Sequence, residues 1–342
     1  MRVTTIHGTR DIRLEERPTP TIVEPTDAVI KVTAGCICGS DLWPYRAEND
    51  ITPGDTIGHE MIGVVEEVGA EVKAFRPGDF VVAPFCHSDN TCPNCLAGVT
   101  SACMNGDFTS GGQGEYARVS QADGSLVLGA SRADGRPDDA LLPSLLTLSD
   151  VFPTGWHAAV VAGVKPGDTV AVVGDGAVGL CAVLAAAQMG AERVVAMSRH
   201  GQRQDIARRF GATHIVAERG EEGAERIKEL TAGVGADAVL ECVGTHDSML
   251  QAFGSARAGS TVGFVGVPHG VDLPIRTMFS KNVGLAGGVA PVRKYLPELL
   301  DLVTSGAVDP GLVFDLRLPL DQVAEGYRAM DERRAIKVYL DC

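Results

Sequence analysis

Residues Gly174-Asp175-Gly176-Ala177-Val178-Gly179 stand directly after the apolar run Val170-Ala171-Val172-Val173 and open a helical segment. A glycine pattern of this spacing constrains the fold only between a strand and a helix, and here that context repeats. Strand-like runs at 169–173, 193–197, 214–216 and 238–242 alternate with helical segments at 178–189, 202–210, 222–230 and 246–256. Two more strands are expected at 261–265 and 283–285. Such alternation predicts an α/β unit with a doubly wound parallel sheet. Gly174 permits the tight turn, Gly176 admits a pyrophosphate against the backbone, and Gly179 allows close helix–strand packing. The helix opened by Ala177 and Val178 aims its amides and dipole at phosphates. A dinucleotide site follows.

Which dinucleotide is decided at the end of the second strand. An NAD site places a carboxylate there, about 20 residues on, for the ribose 2′-hydroxyl. This chain has Ser198-Arg199-His200, with Arg203 close behind. With no acid at that strand end and Arg199 able to offer a bidentate contact to a 2′-phosphate, NADP(H) is expected over NAD(H). The alternative is that Arg199 and Arg203 form only a solvated helix start.

The first half has another texture. Short β-like runs at 28–32, 62–68, 80–83 and 116–119 are separated by Gly and Pro, as in Arg76-Pro77-Gly78-Asp79, which predicts a compact, mostly β domain. The amphipathic segment 292–304, the helix 323–330 and the strand 337–340 are expected to return to it. The expected domains are therefore 1–152 with 289–342, and 153–288. A chain of 342 residues is long enough for two such cores.

The formal net charge of −14 argues against a nucleic-acid partner, which calls for a basic face. The N-terminal residues have no apolar h-region, and no run approaches the roughly 20 apolar residues of a membrane span. Four of the nine cysteines, Cys86, Cys92, Cys95 and Cys103, are clustered. Without a secretory signal, that cluster reads as metal-binding before disulfide framework, and the cytoplasm is the expected compartment.

Three further residues are candidate zinc ligands: Cys38 in Cys38-Gly39-Ser40-Asp41, His59 in Gly58-His59-Glu60, and Asp150 ahead of Thr154-Gly155. Thiolate, imidazole and carboxylate suit zinc and leave a fourth position for substrate. Asp41 is a candidate acceptor for the second ring nitrogen of His59. Ser40 is placed to take a substrate proton, and Glu60 to tune the site or coordinate transiently. Singly, Cys38 reads equally as a buried thiol and Asp150 as a helix cap. Asp89-x2-Cys92-x2-Cys95-x7-Cys103 has the spacing of a closed structural zinc site with aspartate in the first place. Cys86 and His87 are nearby substitutes, and an empty lobe of thiols is the alternative.

Taken in order, these motifs resemble the zinc-dependent alcohol dehydrogenases of the medium-chain dehydrogenase/reductase superfamily across essentially the whole chain. The resemblance implies a GroES-like mostly-β catalytic domain, a Rossmann domain, and catalytic zinc held by Cys38, His59 and Asp150. It also implies cofactor contacts at Thr154, Val243, Gly244, Gly266 and Val267, and a homodimer or homotetramer. Many members have histidine five residues after the first cysteine ligand as a proton relay; here Trp43 stands there.

The expected function is hydride transfer between NADP(H) and an alcohol/aldehyde or ketone pair. Trp43, Phe85, Trp156 and Phe279 are candidates for an apolar pocket. The rivals are a polyol or threonine-type amino-alcohol dehydrogenase of the same superfamily and a non-catalytic NADPH-binding protein.

Overall fold

A computed structural model of the chain describes residues 1–133 and 135–342. They form two compact units, Met1–Pro153 with Pro291–Cys342, and Thr154–Ala290.

The first unit is organised by strand β1 (Ala28–Ile37), ten residues of which eight are buried. It pairs antiparallel with β2 (Met61–Val68), which in turn pairs with β3 (Phe80–Ala83). Along its other edge two strands lie end to end. Strand β4 (Tyr116–Val119) pairs with Ala28–Lys31, and the C-terminal Val338–Asp341 pairs with Ala34–Ile37. Register shifts at Val29/Ile30 and Val32/Ala34 accompany this change of partner, as bulges do where a strand must bend. β1 runs five residues beyond the expected 28–32. Thr33 and Gly35 interrupt the apolar pattern there, yet Gly35 is buried. The strands Arg2–Gly8 and Asp11–Glu16, not expected from the sequence, form a hairpin that carries Ile6 and Ile12 into a core with Tyr45, Tyr327 and Val338.

The second unit is a six-stranded parallel sheet. In chain order its strands are β5 (Thr169–Val173), β6 (Arg193–Met197), β7 (His214–Val216), β8 (Ala236–Glu241), β9 (Ala256–Phe264) and β10 (Gly284–Gly287). Their spatial order is β7-β6-β5-β8-β9-β10, the doubly wound arrangement whose reversal point lies between β5 and β8. Helix α1 (Ala177–Gln188) follows β5, and α2 (Gly201–Arg209) follows β6. The continuous apolar runs fit a sheet covered on both faces. Ala171, Val195, Val239 and Val262 are fully buried and pack with Ile227, Met249 and Phe253. Among the described residues no helix is long and apolar enough to cross a membrane.

The fingerprint glycines do the backbone work their spacing predicts. Gly174 has φ +116°, a left-handed conformation that side-chain-bearing residues avoid. Gly179 lies so close to the preceding loop that an added Cβ would stand 2.1 Å from the Gly174 carbonyl oxygen. Substitution Gly179→Ala therefore forces α1 off β5 and is expected to cost about 1–3 kcal/mol of stability, seen as a lower urea midpoint. An unchanged midpoint would show that the loop yields without strain.

Candidate functional site

Strand pairing assembles the first cluster. Because Gly35 faces Met61 in the antiparallel register, the residues leaving β1 lie beside those entering β2. Cys38 leaves β1, and His59 and Glu60 precede β2. Phe85, just past β3, donates its amide to the Ser149 carbonyl at 3.0 Å and so tethers the segment bearing Asp150. Cys38, His59, Glu60 and Asp150 each present a ligand atom, all within 4.8 Å of one another. Asp150 Oδ2 lies 3.7 Å from Cys38 Sγ and 3.3 Å from His59 Nε2.

The surroundings fix these side chains. Asp41 Oδ1 lies 3.3 Å from His59 Nδ1, and its Oδ2 accepts from the Cys38 amide at 3.0 Å and from Gln113 Nε2 at 3.1 Å. Gln113 also donates to the Cys36 carbonyl and accepts from the Tyr327 hydroxyl, both at 3.1 Å. Ser40 is half-buried in the one-turn helix Gly39–Asp41, and Trp43 is half-buried just beyond. The Phe85 ring meets that of His59 edge-on, centroids 6.0 Å apart.

Beneath this cluster lies a buried ion pair that sequence reasoning missed. Lys337 Nζ donates to Glu60 Oε1 at 2.6 Å and to the Ile37 carbonyl at 3.3 Å, and the two side chains are 1% and 0% exposed. The register Val338↔Ile37 brings Lys337 there. Glu60 Oε2 is buried without a hydrogen-bond partner.

The electrostatics favour a cation. Burial, reinforced by Asp150 and Glu60, pushes the Cys38 thiol up. Burial pulls the His59 imidazole down, but Asp41, Asp150 and Cys38 outweigh it and hold the ring well above its ordinary value. Burial also raises Glu60, against the pull of Lys337. The carboxyl groups of Asp41, Glu60 and Asp150 outnumber Lys337 and His59, and the sulfur, imidazole and carboxylate donors fit zinc.

The second cluster is local. Asp89, Cys92, Cys95 and Cys103 also present ligand atoms within 4.8 Å of one another. Cys92 and Cys103 sulfurs are 3.9 Å apart, and backbone amides of Met104 and Asp89 donate to them at 3.4 and 3.3 Å. Asp89 accepts from the Thr91 and Cys92 amides and from Asn105 Nδ2. Burial opposes that charge, yet these donors hold the carboxyl far below the usual range. Burial pushes Cys95 up to about 12. The donor set fits a closed tetrahedral zinc site. Cys86 and His87 are outside both clusters; the His87 ring nitrogens lie 2.9 Å from Ser120 Oγ and Thr109 Oγ1.

In the second unit, Gly174, Gly176, Ala177, Val178 and Gly179 join β5 to α1, with Gly176 capping the helix. Val243 and Gly244 follow β8, and Gly266 and Val267 follow β9. The buried Glu241 carboxylate orders the first of these turns, accepting from the Val243 and Gly244 amides at 2.9 Å and from Ser248 Oγ at 2.7 Å. Thr154 is buried.

No acid follows β6 in the chain, but a carboxylate from the neighbouring fingerprint loop reaches the end of that strand. The parallel register Met197↔Val173 sets Ser198 beside the fingerprint loop. Asp175 Oδ2 accepts from Ser198 Oγ at 2.8 Å, and Asp175 Oδ1 pairs with Arg203 Nη1 at 3.0 Å. Arg199 is exposed. Of the aromatic pocket candidates, Phe279 is 85% exposed and Trp156 is buried.

Comparison with known proteins agrees with both units. Residues 24–128 match the alcohol dehydrogenase GroES-like domain, and residues 177–305 match the zinc-binding dehydrogenase domain. Zinc-type alcohol dehydrogenase B of Aspergillus flavus is 35% identical over 99% of this chain and 80% of its own length. The chain belongs to the zinc-dependent alcohol dehydrogenases of the medium-chain superfamily. A probable zinc-binding alcohol dehydrogenase of Mycobacterium tuberculosis is 37% identical, covering 96% of this chain and 84% of the relative. Alcohol dehydrogenase TADH from Thermus sp. ATN1 superposes with a TM-score of 0.89 at 30% identity, covering 100% and 99% of the two chains. Membership in this family makes the protein an oxidoreductase of the zinc-type alcohol dehydrogenase kind, whose fold takes zinc and a nicotinamide cofactor.

The Glu60–Lys337 pair gives a test of the site's foundation. Replacing Lys337 by Met strands a buried charge, and a destabilisation of about 3–5 kcal/mol is expected. Adding Glu60→Gln should recover much of it, and equal losses in single and double variants by urea unfolding would refute the coupling.

Proposed function

We propose that the chain interconverts an alcohol with its aldehyde or ketone, using NADP(H) and a catalytic zinc held by Cys38, His59 and Asp150. The convergence of those three donors with Glu60, all within 4.8 Å, carries the reading. When bound, zinc lowers the pKa of a substrate hydroxyl and polarises a carbonyl in the reverse direction. A nicotinamide cofactor held at Gly174, Gly176 and Gly179 would supply or accept the hydride.

The protein's own residues do the rest. Asp41 fixes the tautomer and orientation of His59 through Nδ1, leaving Nε2 toward the donor cluster. Ser40, two residues from Cys38, receives the alcohol proton. With Trp43 at the position where many relatives have histidine, the proton would pass on from Ser40 to the cofactor ribose, to water or to another residue. Glu60, with one carboxylate oxygen engaged by Lys337 and the other unpartnered, tunes the charge behind the ligands. Asp89, Cys92, Cys95 and Cys103 would hold a second, structural zinc.

The NADP(H) preference rests on Ser198 and on Arg199, whose exposed guanidinium is free to approach a 2′-phosphate. Gly174, Gly176 and Gly179 seat the pyrophosphate, and the turns at Val243–Gly244 and Gly266–Val267 line the cofactor crevice.

Two measurements test this. Purified protein should contain two zinc ions per chain, and Cys38→Ala should lose one of them together with turnover while still binding NADPH. Oxidation of simple alcohols should proceed with a higher kcat/KM for NADP than for NAD, and Ser198→Asp should shift preference toward NAD. One zinc per chain would remove the structural site from the proposal. Full turnover in Cys38→Ala would overturn the catalytic assignment, and a wild-type preference for NAD would overturn the cofactor assignment.

A further inference from the structure

Asp175 occupies the variable second position of the fingerprint, where glycine spacing assigns no task. Its side chain is nonetheless committed. The residue is 8% exposed, accepts from Ser198 Oγ at 2.8 Å, and pairs with Arg203 Nη1 at 3.0 Å, while the same nitrogen donates to the Asp175 carbonyl at 3.2 Å. The Ser198 carbonyl accepts from Gln204 Nε2 at 2.8 Å. Two of the three side chains assigned to nucleotide choice are therefore engaged by one carboxylate, and Arg199 alone of them is exposed.

We infer that Asp175 is a specificity-determining residue that sets how strongly this chain distinguishes NADP from NAD, by orienting Ser198 and Arg203 while offsetting the arginine's charge. The inference rests on the reading that the 2′-phosphate is received at the end of β6. The carboxylate does two opposed things there. It holds the hydroxyl and guanidinium in place, which shapes the site. It also puts a negative charge beside the position of a phosphate, which lowers affinity for the phosphorylated cofactor more than for NAD. Asparagine keeps nearly the same shape and one acceptor oxygen for Arg203, while its amide can donate to the Ser198 hydroxyl, so Asp175→Asn removes the charge with little change of form.

The test is calorimetric titration of zinc-loaded protein with NADP, NAD and the probe adenosine 2′,5′-bisphosphate, comparing wild type with Asp175→Asn, Asp175→Glu and Arg199→Ala. Removing one charge next to a phosphate dianion in a solvated site should tighten NADP and the bisphosphate about fivefold. NAD should change less than about twofold, because it has no charge at that position. Asp175→Glu, which keeps the charge, should retain the wild-type ratio of affinities. Arg199→Ala should weaken NADP selectively. If Arg199→Ala has that effect but Asp175→Asn leaves the NADP-to-NAD ratio unchanged, the inference is overturned while the phosphate site stands. A selective loss of NAD binding in Asp175→Asn would instead make Asp175 an acceptor for ribose hydroxyls and also overturn it. If neither variant changes the ratio, the reading of the strand end itself fails.

Discussion

The antiparallel register of β1 decides what the first unit can do. Pairing Gly35 with Met61 on one edge and Ile37 with Val338 on the other gathers Cys38, His59, Glu60 and Lys337 from distant parts of the chain. A one-residue slip would reverse every side chain on the strand, so the bulges that fix this register are part of the site. Burial then raises the stakes. Glu60 and Lys337 are almost wholly excluded from water, where an unpaired charge is far more costly than at the surface. Glu60 Oε2, buried without a hydrogen-bond partner, is the group there that a cation would satisfy.

The consequence is a graded support. Asp41 braces Cys38 and His59, Gln113 braces Asp41, and Tyr327 braces Gln113. Such outer contacts hold ligands in orientation before a metal arrives, which is where metal sites gain much of their affinity and selectivity. In the second cluster the support is local to one loop, with backbone amides directed at the sulfurs of Cys92 and Cys103.

Legibility in the sequence followed the range of the interactions. The parallel unit was readable because each βα repeat carries its own periodicity; the strands at 169–173 and 193–197 and the helix at 292–304 coincide with the observed elements. Cys38, His59 and Asp150 could be named from short motifs. Their meeting, however, depends on strand pairing that no local pattern encodes. Lys337, Gln113 and Tyr327 have no motif at all. A lysine among the apolar residues Ala335-Ile336-Lys337-Val338, leading into the C-terminal strand, was the available signal for the first. Asp175 was hidden for a related reason: its partners Ser198 and Arg203 are more than 20 residues away and become neighbours only because β5 and β6 are adjacent and parallel. The long reach of β1 was obscured by Thr33 and Gly35, polar and small residues in a strand whose environment is set by its partners.

We propose that the β1–β2 junction and the segment before Thr154 together offer a metal a sulfur, a ring nitrogen and a carboxylate oxygen. Anomalous diffraction from zinc-replete crystals, recorded on both sides of the zinc edge, measures this directly. The account predicts a peak at bonding distance, about 2.0–2.3 Å, from Cys38 Sγ, His59 Nε2 and an Asp150 carboxylate oxygen together. A zinc peak confined to the Cys92–Cys103 loop, or one at Cys38 that Asp150 does not reach, would contradict it.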